Sequence, residues 1–243
     1  MSSLSSRYLQ GEYQQVWRAL LFHGQGIAQS PISPDAVVIA YQTMERIKHN
    51  IASIIDALHT LDYHFHTTEI WNLPPSDTQQ LLDYITQSVG PLPLSVRMWY
   101  EVIGSVCLLG THPHLAFQVS SPLQSGQRPF LSDPLTIYPL SLLVRDLDEW
   151  SGGDRLDDET YFLALAPDAD HKANLSGAEY GIIIPNDVAD APLLGTPYNA
   201  TFIEYLRRAI SYGGFPGLSL LDHNDPSFPH NELAILTKDV IPF

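Results

Sequence analysis

Apolar residues recur at alternating steps of three and four from Val37 through Ala40, Met44, Ile47, Ile51, Ile54 or Ile55, Leu58 and Leu61. That spacing draws one stripe along a long helix. Ser33-Pro34 gives it a start, a capping hydroxyl followed by a proline at the first helical position. Glu45, Arg46, Lys48, His49, Asn50 and Asp56 fall on the opposite face. Tyr63–Trp71 then alternates and is rich in β-prone residues, which predicts a strand. A compact helix follows in "PPSDTQQLLDYITQSVG", with Ser76 and Gln79 at capping-box spacing and Gly90 just beyond its end. The segment Leu92–Ile103 reads as a third helix, entered through a proline.

The pattern changes in the second half. Short apolar runs at Val106–Leu109 and Leu135–Tyr138 are separated by proline- and glycine-punctuated chain, including the loop-like "SGQRPFLSDP". After Trp150, "SGGDRLDDE" reads as a solvated acidic loop. "YFLALAPD" and "EYGIIIPND" are short strands, each stopped by a proline. Tyr198–Tyr212 is a further helix with Phe202, Tyr205, Leu206 and Ala209 on one face, and "LAIL" near the C-terminus is a candidate final strand. Helices first, then strands flanked by helices, predict the α+β class: a mixed or antiparallel sheet with a helical N-terminal portion.

The turn "SYGGFPGL" is the segment most like a ligand loop, and its position argues against that role. A glycine-rich loop that cradles phosphate precedes its helix, where amides and the positive dipole end bind the anion. Here the glycines follow the helix, at its carbonyl end. Gly213 or Gly214 is therefore expected to close the helix in the left-handed conformation, Pro216 to prevent its resumption, and Phe215 to pack back on the last turn.

Composition narrows the function classes. Hydrophobic residues at 44% and aromatics at 10% of 243 residues are ample for a packed core. The longest apolar runs fall well short of the roughly 18 residues of a membrane span, and the first residues lack the continuous apolar stretch of a signal peptide. A cytoplasmic location is expected. Charge is the strongest signal: 12 Lys+Arg against 27 Asp+Glu gives a formal charge of −15. Such a surface repels nucleic acid and anionic lipid, whose binding relies on Lys and Arg. It attracts a basic partner and speeds encounter with it. The lone Cys107, inside an apolar run with no activating neighbour in sequence, reads as a small buried hydrophobe rather than a nucleophile.

Three segments carry candidate chemistry. His64 and His66 project from one face of a strand, and with Glu69 they are a possible start of a zinc site, which needs three or four ligands. His112-Pro113-His114 is a second pair. With ten histidines in the chain such pairs arise by chance, and surface or aromatic-packed imidazoles are the expectation. "PDADHKAN" is the densest segment: Asp168 and Asp170 resemble a DxD pair able to hold Mg²⁺ or Mn²⁺, and His171 is a candidate base near neutral pH. Asp and Asn are also ordinary loop formers. The reading adopted is an exposed recognition loop made of Asp168, Asp170, His171, Lys172 and Asn174, following a strand as functional loops do. "DHNDPSFPHN" carries similar residues with a weaker case. No GxSxG, HExxH, GxxxxGK or GxGxxG motif is present in the sequence, and no cofactor or metal is expected.

Three stretches, "GPLPLSVRMWYEVIGSV", "LAPDADHKANLSGAEYGIIIP" and "TFIEYLRRAISYGGFPGL", resemble proteins of the SUKH superfamily, which includes antitoxin-like immunity proteins and a fungal cell-wall-synthesis regulator. Leu92-Pro93 followed by Val96, Trp99 and Tyr100 is similar to the family's helix-entry motif, with a glycine-containing strand entry then expected at Gly104. The resemblance runs from about Asp35 to Leu221. It implies a SUKH-like core over residues 91–243, with residues 1–90 as a helical portion packed on it, one structural domain overall. It also implies a non-catalytic protein-binding module, such as an immunity protein neutralising a basic toxin. Arg97, Trp99 and Tyr100 are expected to be structural, one of them reaching the surface. The alternative is a metal-dependent hydrolase or transferase using the Asp168–His171 loop.

Overall fold

The computed structural model describes residues 2–115, 131–152, 160–226 and 228–243. Two short helices open the chain, α1 (Leu4–Leu9) and α2 (Tyr13–Leu21), ahead of the long α3 (Ser33–Thr60). Ser3 caps α1 by accepting from the Ser6 amide at 3.1 Å. Asp35, in the first turn of α3, accepts from the Leu4 amide at 2.9 Å and from Ser5 Oγ at 2.7 Å, fixing α1 to α3. The Ser33 hydroxyl does not cap α3, because the helix already includes Ser33 and Pro34 lies in its first turn. Ala40, Met44, Ile47, Ile51, Ile54 and Leu58 are fully or almost fully buried, as the stripe predicts. Val37 departs from it at 43% exposed, since Ala36, Ile39 and Ala40 take the inner face of the first turns. Asn50 departs in the other direction. Its amide is buried and bonds both ways to the backbone of Ile241, at 2.9 and 2.8 Å.

The alternating run Tyr63–Trp71 resolves into two two-residue strands, β1 (His64–Phe65) and β2 (Trp71–Asn72). Helix α4 (Thr78–Val89) starts without a side-chain cap, so the Ser76–Gln79 box does not form, and Gly90 closes it at φ 96°. Helix α5 (Leu94–Val102) follows Pro93 as expected. Trp99 and Tyr100 are buried, with Trp99 Nε1 donating to the Gly104 carbonyl at 2.7 Å and its ring against Phe202 at 5.7 Å. Arg97 reaches the surface, bonded to Glu101 at 2.9 Å and Asp83 at 3.2 Å. Strand β3 (Ser105–Cys107) begins right after Gly104, whose added Cβ would meet the Asn72 carbonyl at 2.1 Å. β4 (Gly110–Thr111) and β5 (Thr136–Ile137) complete this part. The loops expected at 125–134 and 151–159 lie largely outside the described residues.

Helix α6 (Leu140–Ser151) leads to β6 (Tyr161–Pro167), a one-turn helix α7 (Ala169–Lys172), and β7 (Glu179–Ile184). Among the described residues the strands form three small antiparallel sheets: β1 with β4, β2-β3-β5, and β6 with β7. The last two are joined where the Tyr138 amide, just past β5, donates to Leu165 of β6 at 2.8 Å. Thus the α+β class holds, with strands distributed over small sheets flanked by helices.

Helix α8 (Phe202–Ser211) buries Phe202, Tyr205, Leu206 and Ala209. It starts four residues later than the periodicity suggests, at a Thr201–Glu204 capping box. The glycine turn is a cap: Gly213 and Gly214 stand at φ 60° and 92°, and their amides bond back to Ile210 and Ala209. Phe215 is fully buried against Tyr63 at 5.7 Å. "LAIL", expected as a strand, is instead part of helix α9 (His230–Leu236). Four apolar residues suit either element; here Leu236 is buried over Gly213 while Ile235 is 42% exposed, and no strand pairs with them among the described residues. One continuous cluster of buried apolar residues extends from Tyr8 to Phe243.

Candidate functional site

The segment from Pro167 to Glu179 turns from β6 to β7 through α7, and its conformation follows from its Asp, Gly and Asn residues. Asp168 caps α7, its two carboxylate oxygens accepting from the His171 amide at 2.8 Å and the Ala178 amide at 2.6 Å. Gly177 leaves room for this, since an added Cβ would lie 2.1 Å from Asp168 Oδ1 and 2.7 Å from the His171 amide nitrogen. Asn174 closes the turn at φ 63°, the left-handed conformation Asn tolerates. Asp168 and Asn174 therefore shape the segment, and Asp170 and His171 are what it presents.

Lys172 is not part of an exposed loop. Its side chain is 0% exposed and its Nζ lies 2.5 Å from Asp133 Oδ1, also 0% exposed. Asp133 accepts as well from Tyr198 at 2.8 Å and Tyr180 at 3.3 Å, and the Lys172 ammonium stands 4.9 Å over the Tyr180 ring. One turn of helix lying on the β6–β7 pair must turn one side inward, and Lys172 occupies that side. A buried ammonium needs a partner carboxylate and further hydrogen bonds; Asp133 and its two tyrosines supply them.

Outside, the segment meets residues from three other elements. His171 Nδ1 is 3.6 Å from Glu179 Oε1. Tyr138, just past β5, donates its hydroxyl to Glu179 Oε2 at 2.9 Å. Burial raises the Glu179 carboxyl above its ordinary value; Asp168 and Asp146 of α6 push it the same way, against Tyr138 and His171. The Tyr138 hydroxyl is raised too, by burial and then by the bond to Glu179. Asp146, Asp168 and Glu179 thus share a negative field, with His171 at its edge. Asp148 of α6 accepts from the exposed Tyr84 at 2.6 Å. Arg145, the basic residue of α6, lies 3.5 Å from Asp146 and 3.8 Å from Glu149. Sequence reasoning missed Tyr138, Asp146 and Glu179, because three separate elements contribute them and no local motif joins them.

Two groups of histidines stand apart from this segment. Pairing of His64 with Thr111 brings the two HxH motifs to one sheet edge. There His114 Nδ1 lies 2.5 Å from Glu232 of α9, and the His112 and His114 rings are 5.8 Å apart. Burial lowers His112, opposed by Glu232 and reinforced by His114 and His64. Among the described residues, no group of three or more His, Cys, Asp or Glu is placed to hold a metal, His64 with His66 and Glu69 included. In the other group the imidazoles pack on aromatics: His59 on Phe65 at 5.3 Å, and His223 and His230 on Phe228 at 4.5 and 4.7 Å. The last pair fills the Asp222–Asn231 segment. Cys107 is half-buried in β3 and has no disulfide partner.

Compared with family models, curated proteins and solved structures, the chain matches nothing. Among the described residues no helix is long and apolar enough to cross a membrane.

Proposed function

We propose that this chain is a non-catalytic protein-binding module of the SUKH kind, acting in the cytoplasm on a basic protein partner, with neutralisation of a toxin as its role. The observation that carries the reading is the shared negative field of Asp146, Asp168 and Glu179, in a chain of formal charge −15. A carboxylate raised by burial, and further by its acidic neighbours, is relieved by an approaching cation, so a Lys or Arg side chain of a partner gains from docking there. Asp170 and His171 form the rim of this surface; Asp168 and Asn174 hold its shape, and Lys172 supports it from inside. The alternative of a metal-dependent hydrolase or transferase would have to work with an Asp168 carboxylate already engaged by two backbone amides.

The test is capture of partners from host lysate on the immobilised chain at low and high salt, repeated with Asp146→Asn and Asp170→Asn. A basic protein is expected at low salt, depleted at high salt and retained several-fold less by the two variants, with their melting temperatures unchanged. Retention indifferent to salt and to both substitutions would sink the proposal.

A further inference from the structure

Cations are scarce in this chain, and several are engaged by carboxylates: Arg7 by Glu12, Arg97 by Asp83 and Glu101, Arg145 by Asp146 and Glu149, Lys172 by Asp133. Arg18, Arg207 and Arg208 have no Asp or Glu side chain within ion-pair distance among the described residues, and all three line one cavity of about 490 Å³. Its walls are one face of α2, one face of α8, and the chain entering α8 at Tyr198. Arg18 comes from α2 and the other two from α8.

The guanidinium groups are anchored and incompletely satisfied. Arg207 Nε donates to the main-chain oxygen of Phe243 at 2.8 Å, while its Nη2 is buried with no acceptor among the described residues. Arg208 Nη1 donates to Ser219 Oγ at 3.0 Å and the group lies 5.0 Å over the Tyr198 ring, while its Nε is buried without an acceptor. Buried donors are almost always satisfied, and a charged one left orphaned is costly. Burial lowers Arg207 from its ordinary value; Tyr8, Asp190 and Glu204 oppose that, and Arg18 adds to it. Two carboxylates on the same wall, Asp190 and Glu204, act favourably on Arg207 across space but form no ion pair with the three cations among the described residues, and two carboxylates leave three guanidinium groups one charge in excess. Asp190 accepts from the Ile203 amide at 3.2 Å and from Ser95 at 2.7 Å, and Glu204 accepts from the Thr201 amide at 3.0 Å.

We infer that this cavity binds a small organic oxyanion, a phosphate- or carboxylate-bearing molecule, gripped by Arg18, Arg207 and Arg208. The planar guanidinium fork matches both anions bidentately. The volume lies in the range of small-molecule sites and exceeds what a bare phosphate fills, so the ligand carries an organic body against Tyr198 and Tyr212. The site is separate from the acidic surface and stands without the partner-binding reading.

Calorimetric titration of the full chain with AMP, citrate and sodium chloride at matched ionic strength tests it. AMP or citrate is expected to bind one-to-one and to raise the melting temperature, chloride to do neither; which of the two binds assigns phosphate or carboxylate. Arg18→Gln removes one grip from the exposed rim, and Ser211→Glu adds a carboxylate to the exposed end of α8 in the same wall. Each is expected to weaken binding by about tenfold without moving the ligand-free melting temperature. No binding above chloride by either probe, or binding that ignores both variants, overturns the inference. Either result leaves the capture of a basic protein untouched.

Discussion

Lys172 shows how a single residue changes meaning with its surroundings. In sequence it sits between His171 and Asn174 like any loop lysine; in the fold it is the buried partner of Asp133. Replacing it with methionine would strand Asp133 among Tyr180 and Tyr198, and a loss of about 3–5 kcal/mol in urea unfolding is expected. His171→Ala, one residue away and exposed, should leave the unfolding curve in place. A Lys172→Met protein as stable as the parent would show the pair to be dispensable. Asp190 offers a second residue-scale outcome. Burial pushes its carboxyl up to about 6 from 3.8, against the Thr201 and Ser95 side chains, the Ile203 amide and Arg207, which lower it. The native state therefore holds this proton more tightly than the unfolded chain, so its contribution to stability is full below about 3.8 and lost as pH rises through about 6. Asp190→Asn removes that dependence. The difference in melting temperature between parent and variant should change across pH 4–6 and be flat above it; a difference constant over the whole range would refute the assignment.

Among the elements, α3 was the most legible and its ends the least. Its stripe was written in apolar spacing, yet Asn50, on the expected polar face, is buried because the C-terminal segment returns to bond it. Asn50→Leu keeps the helix and the volume but leaves the Ile241 amide and carbonyl without partners, and a cost of about 1–3 kcal/mol is expected in chemical unfolding. Stability unchanged by Asn50→Leu would mean that water serves those groups equally well. The strands β6 and β7, α5 with its leading proline, and the glycine cap on α8 were legible for a shared reason: each is set by local chemistry, alternation or a backbone conformation few residues tolerate. The "LAIL" segment, α1 and α2 were not. Short amphipathic segments take their form from what they pack against, as Leu236 does over Gly213 and Asp35 does beneath α1. Capping hydroxyls behaved the same way. Ser33 and Ser76 had the right spacing and went unused, whereas Thr201 and Glu204 formed the box that the periodicity of α8 obscured.

For the molecule as a whole, the excess of acid over base and its distribution are separate facts with separate origins. The formal charge of −15 is a sum over residues, and from it follow repulsion of nucleic acid and attraction to a basic partner, both weakened by salt. Its layout required the fold. Only when β5, α6 and β7 converge do Tyr138, Asp146 and Glu179 meet Asp168 and His171. Only the fold brings Arg18 of α2 and Arg207 and Arg208 of α8 to one cavity. By itself the sequence determined the α+β class, the main helices, the paired strands of the second half and the glycine cap, because these depend on spacing and on backbone conformations read over a few residues. The tertiary structure alone decided that Lys172 faces inward and which carboxylates share a field. It also decided that three arginines share one cavity, because charge interactions act across space between residues that the chain holds far apart.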